Sequence, residues 1–493
     1  MEGTSPFAWG ATAIATSYPS DWPERWDSLF AAAVPEGRRR LCTRPGVAVM
    51  FHSVLDGRLA IRPGMVERIL AAEPEVLADV LARWGSVPDE ITVPGDVVLA
   101  FVASFRDGRA MQRMIRSETV FRWVLDRFGY DELALGGTSA NMAAAIAALG
   151  VPRVLVYANP LTGPLAAAFP VDRAIETIGP DGALGAPRDV ARGDEVFAIH
   201  WIFEYQAGDT LTIGPHTLTA PRANRFIPSW NPANNQIRLS PGFTGTFRRI
   251  APEFSHLLVS GFHILSDRYP DGTTAIECIR PVAEYLATVR SVAPALRLHC
   301  ELACIAGGIV RRGVRQHILP HMHSLGLNEA ELMTWLEDLG RDDLARRIRA
   351  DDSPLAALDG AAALAAATGV PRIHLHHLGY YLALVEAGTV APEAVRQGLL
   401  TGASAAAVRA RTGRPPRGDE LAALSDVPLR PESCAAMAAL AATQPDAERF
   451  LATGIGRYAG RDLIAVPTRV VDRPVRTVGL GDTISATAWL AEG

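Results

Sequence analysis

The sequence predicts an α/β fold wound around a mostly parallel sheet. Three observations carry that prediction. Short continuous apolar runs recur, among them VAVMF at 47–51, residues 154–157 and VFAIHWIFEY at 196–205. Runs of that length suit strands buried on both faces, as parallel sheets require. Segments with helical spacing separate them, and glycines mark the joins, as at Gly150 closing NMAAAIAALG. Apolar strands that alternate with helices make βαβ units.

Each element follows from its residues. The first 45 residues, rich in Pro and Trp, read as helix and loop on the surface. Residues 64–84 bring Met65, Ile69, Leu70, Leu77, Val80 and Leu81 near helical spacing. ITVPGDVVLAFVASF at 91–105 reads as strand, and Gly136, Gly137, Thr138, Ser139, Ala140 and Asn141 open an apolar helix. HLLVSGFHIL at 256–265 and ALRLHCELAC at 295–304 read as further strands. Helices fit around 273–290, 329–338 and 342–350, and 408–420, with RTGRPPRGDE, reads as a flexible surface loop. Ligand in such a fold belongs at the carboxyl ends of the strands.

The 493 residues allow about three domains, or one large α/β domain with a smaller attachment. A hydrophobic content of 48% with 20% charged residues supplies an ample core. A net charge of −5 argues against general binding to nucleic acid or anionic membrane. All 48 basic residues are Arg. That excludes a Walker lysine and a Schiff-base lysine, so any phosphate clamp is Arg, backbone N–H or metal. Cys42, Cys278, Cys300, Cys304 and Cys434 form no CxxC pair and read as thiols of a reducing compartment. The first residues carry no basic segment followed by an apolar run, and no apolar stretch reaches membrane-spanning length. A cytoplasmic protein, monomeric or a small homo-oligomer, is expected.

The segment VGLGDTIS at 478–485, running into ATAWL, carries the most chemistry. Two glycines bracket a turn, an acid follows, and Thr483 or Ser485 can cap a helix. Backbone N–H groups freed by glycine at a helix start form an anion hole. An acid there is costly beside phosphate unless it works as a general base toward a substrate hydroxyl. A glycine turn with an Asp N-cap explains the same residues without chemistry.

The chain resembles the ADP-dependent glucokinase and phosphofructokinase family of the ribokinase-like superfamily. The resemblance rests on FGYDELALGG, VLVYANPLTGPLAAAF, APRANRFI, LLVSGFHIL, LHCELAC, SLGLNEAEL, RIHLHHLGY and VPTRVVDRPVRTVGLGDTIS, in that order. It implies a Rossmann-type three-layer domain with a small β-rich lid built from insertions. The large domain is then expected at about 40–55, 64–103, 136–195 and 223–490, the lid at about 56–63, 104–135 and 196–222. It also implies transfer of the β-phosphoryl of ADP to a sugar-like hydroxyl with Mg²⁺, releasing AMP.

Residue by residue, the resemblance makes Asp482 the base and Gly479 and Gly481 the anion hole. Glu301, in His299-Cys300-Glu301, becomes the magnesium-associated acid, joined by His299 and Glu329. Arg225 and Arg222 of PRANRF, Asn328, His374, Val478 and Thr483 fall on the nucleotide side. Asn328 is equally a plain N-cap for the helix after it, Glu301 a strand-end acid paired with Arg, and the histidines core residues.

The acceptor side departs from the family. Asp56 matches its acid, but His52 and Val54 stand where Asn is expected, Gln112 where glucose-type members place Glu, and Thr138 where the family's GGQAG places Gln. Gly136, Gly137 and Asn141 complete the expected acceptor wall. A missing carboxylate leaves sugar hydroxyls unpaired, at about 1–3 kcal/mol each, so glucose is expected to be a poor substrate. The phosphofructokinase branch uses lysine and this chain has none, leaving arginines such as Arg109 or Arg222. The acceptor is therefore expected to be another polyol, sugar phosphate or nucleoside. An ATP-using kinase on the same fold and a non-catalytic ligand-binding homologue remain the rivals.

Overall fold

The computed structural model describes residues 21–194, 196–422, 424 and 426–493. Its centre is an 11-stranded sheet. The parallel middle runs, in spatial order, Arg372–His376, Ser324–Leu327, Arg297–Glu301, His256–Val259, Val47–Met50, Val154–Val156 and Ile175–Ile178. Antiparallel strands Tyr380–Val385, Arg461–Pro467 and Ile455–Tyr458 extend one edge, and Leu184–Gly185 ends the other. Along Val47–Met50, Ala48 and Met50 join one hydrophobic core while Val47 and Val49 join the other. Burial on both faces is why these strands read as unbroken apolar runs, and it makes the fold three-layered α/β.

A second, five-stranded sheet runs Met111–Met114, Asn224–Trp230, Ile199–Tyr205, Val54–Ala60 and Glu132–Gly136, with a hairpin of Thr210–Ile213 and His216–Thr219 beside it. The helix Pro94–Asp107 packs on Asn224–Trp230, Met111–Met114 and the hairpin. The sequence assigned 64–103 to the large unit and ended the lid at 222. In the structure Pro94–Asp107 lies against the small sheet, and Asn224–Trp230 is one of its strands.

Other expectations are corrected too. The strand expected at 91–105 is the helix Pro94–Asp107, almost all of it buried. Its start is set by Pro94 and by Asp96, whose carboxylate accepts from the Thr92 and Val93 amides. Burial all round erased the periodicity that marks a helix. Residues 64–84 form two helices, Met65–Ala72 and Pro74–Ala82, divided at Pro74. The strand at 256–265 stops at Val259. The loop at 408–420 begins five residues late, because the helix Pro392–Thr412 continues to Gly413, a left-handed cap at φ 72°. Trp22 and Trp26, expected at the surface, are buried and both donate to the Leu451 carbonyl. No helix among the described residues is long and apolar enough to cross a membrane.

Candidate active site

The helix Leu480–Ala491 starts at Gly479, whose φ of 75° lies in the left-handed region. Its Ala-rich body lies against Pro392–Thr412, where Gly398 and Gly402 let the two backbones approach: a Cβ on Gly402 would come within 3.1 Å of the Ile484 carbonyl. This close packing lays Arg409 under the glycine turn. Arg409 is 3% exposed and donates to the Val478 carbonyl at 3.2 Å, to Thr483 Oγ1 at 3.2 Å and to Asn141 Oδ1 at 3.2 Å. Gly481 and Asp482, in the first helical turn, have amides with no acceptor within the helix, so an anion facing the turn meets free N–H groups and a positive dipole end.

Gly479 is needed twice over. A side chain there would be strained at positive φ and would strike the Arg409 guanidinium, with Asn141 Cγ 3.0 Å away. Gly479→Ala is expected to cost about 1–3 kcal/mol of stability and to depress turnover, checked by urea unfolding beside initial rates.

Three carboxylates converge near this turn. Burial and then the Glu301 charge push Asp482 up to about 7, against the pull of Arg409 and a hydrogen bond from Asn141. Glu301, at the end of Arg297–Glu301, takes a 2.9 Å hydrogen bond from His376 Nε2 on Oε1, while Oε2 has no hydrogen-bond partner in the protein. Burial opposes its charge, but the facing His376 holds it ionised. Burial likewise disfavours charged His376, yet Glu301 lifts it to about 9. Burial and the Glu301 charge push Glu331 up to about 8. A Cβ on Gly481 would sit 3.2 Å from His376 Cε1 and 3.7 Å from Glu301 Oε1, so this acid–histidine pair abuts the helix start.

A second buried polar cluster surrounds Asp56 and His52. Asp56, His200 and Ser229 form one cross-strand row of the small sheet. Burial pushes Asp56 up to about 7 against four arginines, Arg476, Arg58, Arg225 and Arg409. His52 packs its ring 5.2 Å from His200 and 5.0 Å from His263. Burial keeps all three imidazoles neutral, holding His200 to about 3 and His263 to about 4. His52 Nε2, His200 Nε2, His263 Nδ1 and the Asn231 side-chain amide are buried without partners. Such a concentration of unsatisfied groups is met by bound water or by a polar ligand. Gly137, at φ 86°, lets the start of Thr138–Ala148 approach the His52 carbonyl, and Gly136 lies against the Asp56 carboxylate.

An adjoining cavity is lined by Asp56, Arg58, Arg225, Arg476 and Val478 among others. A second, narrower cleft is lined by Asp352, His377, Gly379, Arg430, Glu432, Ser433 and Val470.

Several residues singled out in the sequence sit elsewhere or are already engaged. Arg222 is exposed and bonds the Gly108 carbonyl, away from this cavity. His299 is fully buried with both ring nitrogens on hydroxyls, Ser324 at 2.9 Å and Ser485 at 2.8 Å, so it is no open metal ligand. His374 is sealed inside the sheet, and His377 is the histidine at the cleft. Gln112 is exposed on its strand and donates to Ser229 at 3.0 Å. Asn328 is an N-cap that accepts from the Glu331 amide, and Glu331 rather than Glu329 is the buried acid beside Glu301. Thr483 donates to the Gly479 carbonyl and receives Arg409. Asn141 bridges Arg409 and Asp482.

Arg409, Glu331, His200, His263 and Arg476 were not singled out by sequence reasoning. The signal was present for one: Asn328 and Glu331 have capping-box spacing. His376, one of the three RIHLHHLG histidines expected in the core or on the nucleotide side, pairs with Glu301.

The conserved-region model of the ADP-specific phosphofructokinase/glucokinase family matches residues 47–491. The chain is 30% identical over 479 residues to an ADP-dependent glucose/glucosamine kinase of Pyrococcus furiosus, covering 95% of this chain and 98% of that one. It is 26% identical over 489 residues to an ADP-specific phosphofructokinase of Methanosarcina acetivorans, covering 95% and 97%. Among solved structures it is similar to the last common ancestor of ADP-dependent phosphofructokinases from Methanosarcinales, at TM-score 0.83, 26% identity and coverage of 95% and 98%. It is also similar to an ADP-dependent kinase complexed with fructose-6-phosphate and ADPβS, at TM-score 0.79, 25% identity and coverage of 97% and 98%. Its fold is therefore the ribokinase-like one, and the chain belongs to the ADP-specific phosphofructokinase/glucokinase family as an ADP-dependent sugar kinase.

Proposed function

We propose that the protein transfers the β-phosphoryl group of ADP to a hydroxyl of a sugar, sugar phosphate or similar polyol, with Mg²⁺, releasing AMP. The observation that carries this reading is Asp482: a buried carboxylate with a pKa near 7, in the first turn of a glycine-capped helix and beside buried Arg409. A carboxylate so tuned is a competent base at neutral pH. Asp482 takes the proton of the acceptor hydroxyl. The acceptor oxygen bonds to the β-phosphorus as the bond to the bridging oxygen breaks, and AMP leaves. The first-turn amides and Arg409 stabilise charge on the transferring group.

The donor set fits a magnesium ion. Among the described residues no group of three or more His, Cys, Asp or Glu is arranged to hold a metal alone. Mg²⁺ asks for little more than one or two carboxylates, completing its shell with water and phosphate oxygens. Glu301, with Oε2 unpartnered, and nearby Glu331 are the residues that would hold it. Such an ion neutralises phosphate charge. Arg225, Arg476 and Arg58 face the cavity that suits the phosphates, and the cleft at His377 and Ser433 suits the nucleoside.

The pocket of His52, His200, His263 and Asn231 suits the hydroxyls of the acceptor, because its orphaned groups are neutral donors and acceptors. His200→Ala is expected to raise acceptor KM about tenfold, within the ~1–3 kcal/mol of a lost buried hydrogen bond, and to leave KM for ADP unchanged. A shift confined to ADP would refute that placement.

The test of the whole reading is AMP release from Mg-ADP across sugars, sugar phosphates, polyols and nucleosides, with ATP in parallel. Acceptor-dependent AMP establishes it. Equal or faster turnover of ATP, or no acceptor-dependent product at all, rejects it.

A further inference from the structure

Beneath Asp482 and Glu301 runs a chain of buried polar side chains. Glu492 pairs with Arg372. Arg372 Nη1 donates to Ser324 Oγ at 3.0 Å. Ser324 Oγ lies 2.9 Å from His299 Nδ1, and His299 Nε2 lies 2.8 Å from Ser485 Oγ. None of the five is more than 2% exposed. Arginine only donates, so Ser324 accepts from it, and the His299 ring, hydrogen-bonded at both nitrogens, links Ser324 to Ser485.

Its two ends grip one helix. Ser485 lies three residues after Asp482, on nearly the same face of Leu480–Ala491, and Glu492 follows its last turn. The points between lie on adjacent strands of the large sheet, and His299 shares a strand face with Glu301, its Nε2 3.7 Å from Glu301 Oε2. Two attachments about ten ångströms apart along a rigid helix fix both its height and its rotation. Gly326 shows how tight the junction is: a Cβ there would collide with both Glu301 Oε2 and Ser485 Oγ.

We infer that this chain is a positioning device, with Ser485 the positioning residue that holds the first turn of the last helix, and so Asp482, at its working distance from Glu301. The inference rests on the roles proposed for Asp482 and Glu301. Ser485 touches no reacting atom in this scheme. It acts through the helix that carries the base, and a misplaced base is costly in rate.

The test compares wild type with Ser485→Ala, Ser485→Thr and Ser324→Ala, all in the full chain. Two readouts are taken: amide hydrogen exchange, which needs no substrate, and AMP release with the acceptor identified in the panel. Ser485→Ala and Ser324→Ala are expected to speed exchange of the hydrogen-bonded amides at 483–485 at least tenfold and to lower kcat about tenfold. Both KM values stay within twofold, and Ser485→Thr restores exchange and kcat. Exchange and kcat both within twofold of wild type would overturn the inference. So would a uniform loss of protection along the whole helix with a lower Tm, which marks a stability role alone. Asp482→Asn run alongside separates the two ideas. If it retains turnover, the role of Asp482 fails. If it is inactive while Ser485→Ala is normal, only the positioning role fails.

Discussion

Asp482→Asn is expected to lower kcat about a thousandfold while ADP affinity stays within about twofold, consistent with the loss of a general base. Asparagine keeps the size and the polar contact to Asn141 but cannot take a proton. Because the carboxylate must be ionised to work, kcat/KM in the wild type should rise with pH and level off above about 7. Stability runs the other way. The folded-state pKa is raised from 3.8, so the group's contribution to stability is fully present below that value and is lost as pH rises through about 7. Asp482→Asn should therefore raise Tm relative to wild type at pH 8, with the gain shrinking toward pH 4. Rate profiles and thermal unfolding across that range check both halves. A variant that turns over normally, or one less stable at pH 8 than the wild type, would contradict the assignment.

Arg409→Met is the second large effect. The guanidinium holds three acceptors at once, the Val478 carbonyl, Thr483 Oγ1 and Asn141 Oδ1, and it lies in the field of Asp482 and Asp56. Removing it strands those acceptors and leaves two buried acids with less compensation. Losing one partner of a buried charge pair costs about 3–5 kcal/mol. The expected result is a marked drop in Tm, a fall in kcat of about a hundredfold, and a rate profile displaced to higher pH. The direction follows from the charge: without a cation nearby, Asp482 holds its proton more tightly. An unchanged pH profile would show that Arg409 does not tune the base.

Much of the large sheet was legible because two-sided burial writes itself as short apolar runs: Val47–Met50, Val154–Val156 and Arg297–Glu301 all lie within runs picked out in the sequence. The same rule misled at 91–105, where a helix buried all round has no polar face to reveal its period. The glycine turn at 479–482 could be read directly, since its residue types are dictated locally. Arg409 could not. Its importance comes from glycines at 398 and 402 that bring two distant helices together, a contact with no local signature. Glu301 and Glu331 show the same divide. Each stands in a readable local motif, but only the fold puts Glu331 rather than Glu329 beside Glu301.

The small sheet takes its strands from Val54–Ala60, Met111–Met114, Glu132–Gly136, Ile199–Tyr205 and Asn224–Trp230, and the chain returns to the large sheet between them. It leaves after Val47–Met50, comes back after Glu132–Gly136, leaves again before Ile199–Tyr205, and comes back after Asn224–Trp230. Such a sheet cannot be cut out as one continuous piece, nor can it close before its partners are made. Its central pairing, Val54–Ala60 with Ile199–Tyr205, joins residues more than a hundred positions apart. Loop-closure entropy must be met before that pairing is rewarded, which slows folding. The proposed acceptor pocket, built on Asp56 and His200 across this pairing, should consequently be among the last parts of the molecule to form and among the first to be lost in denaturant.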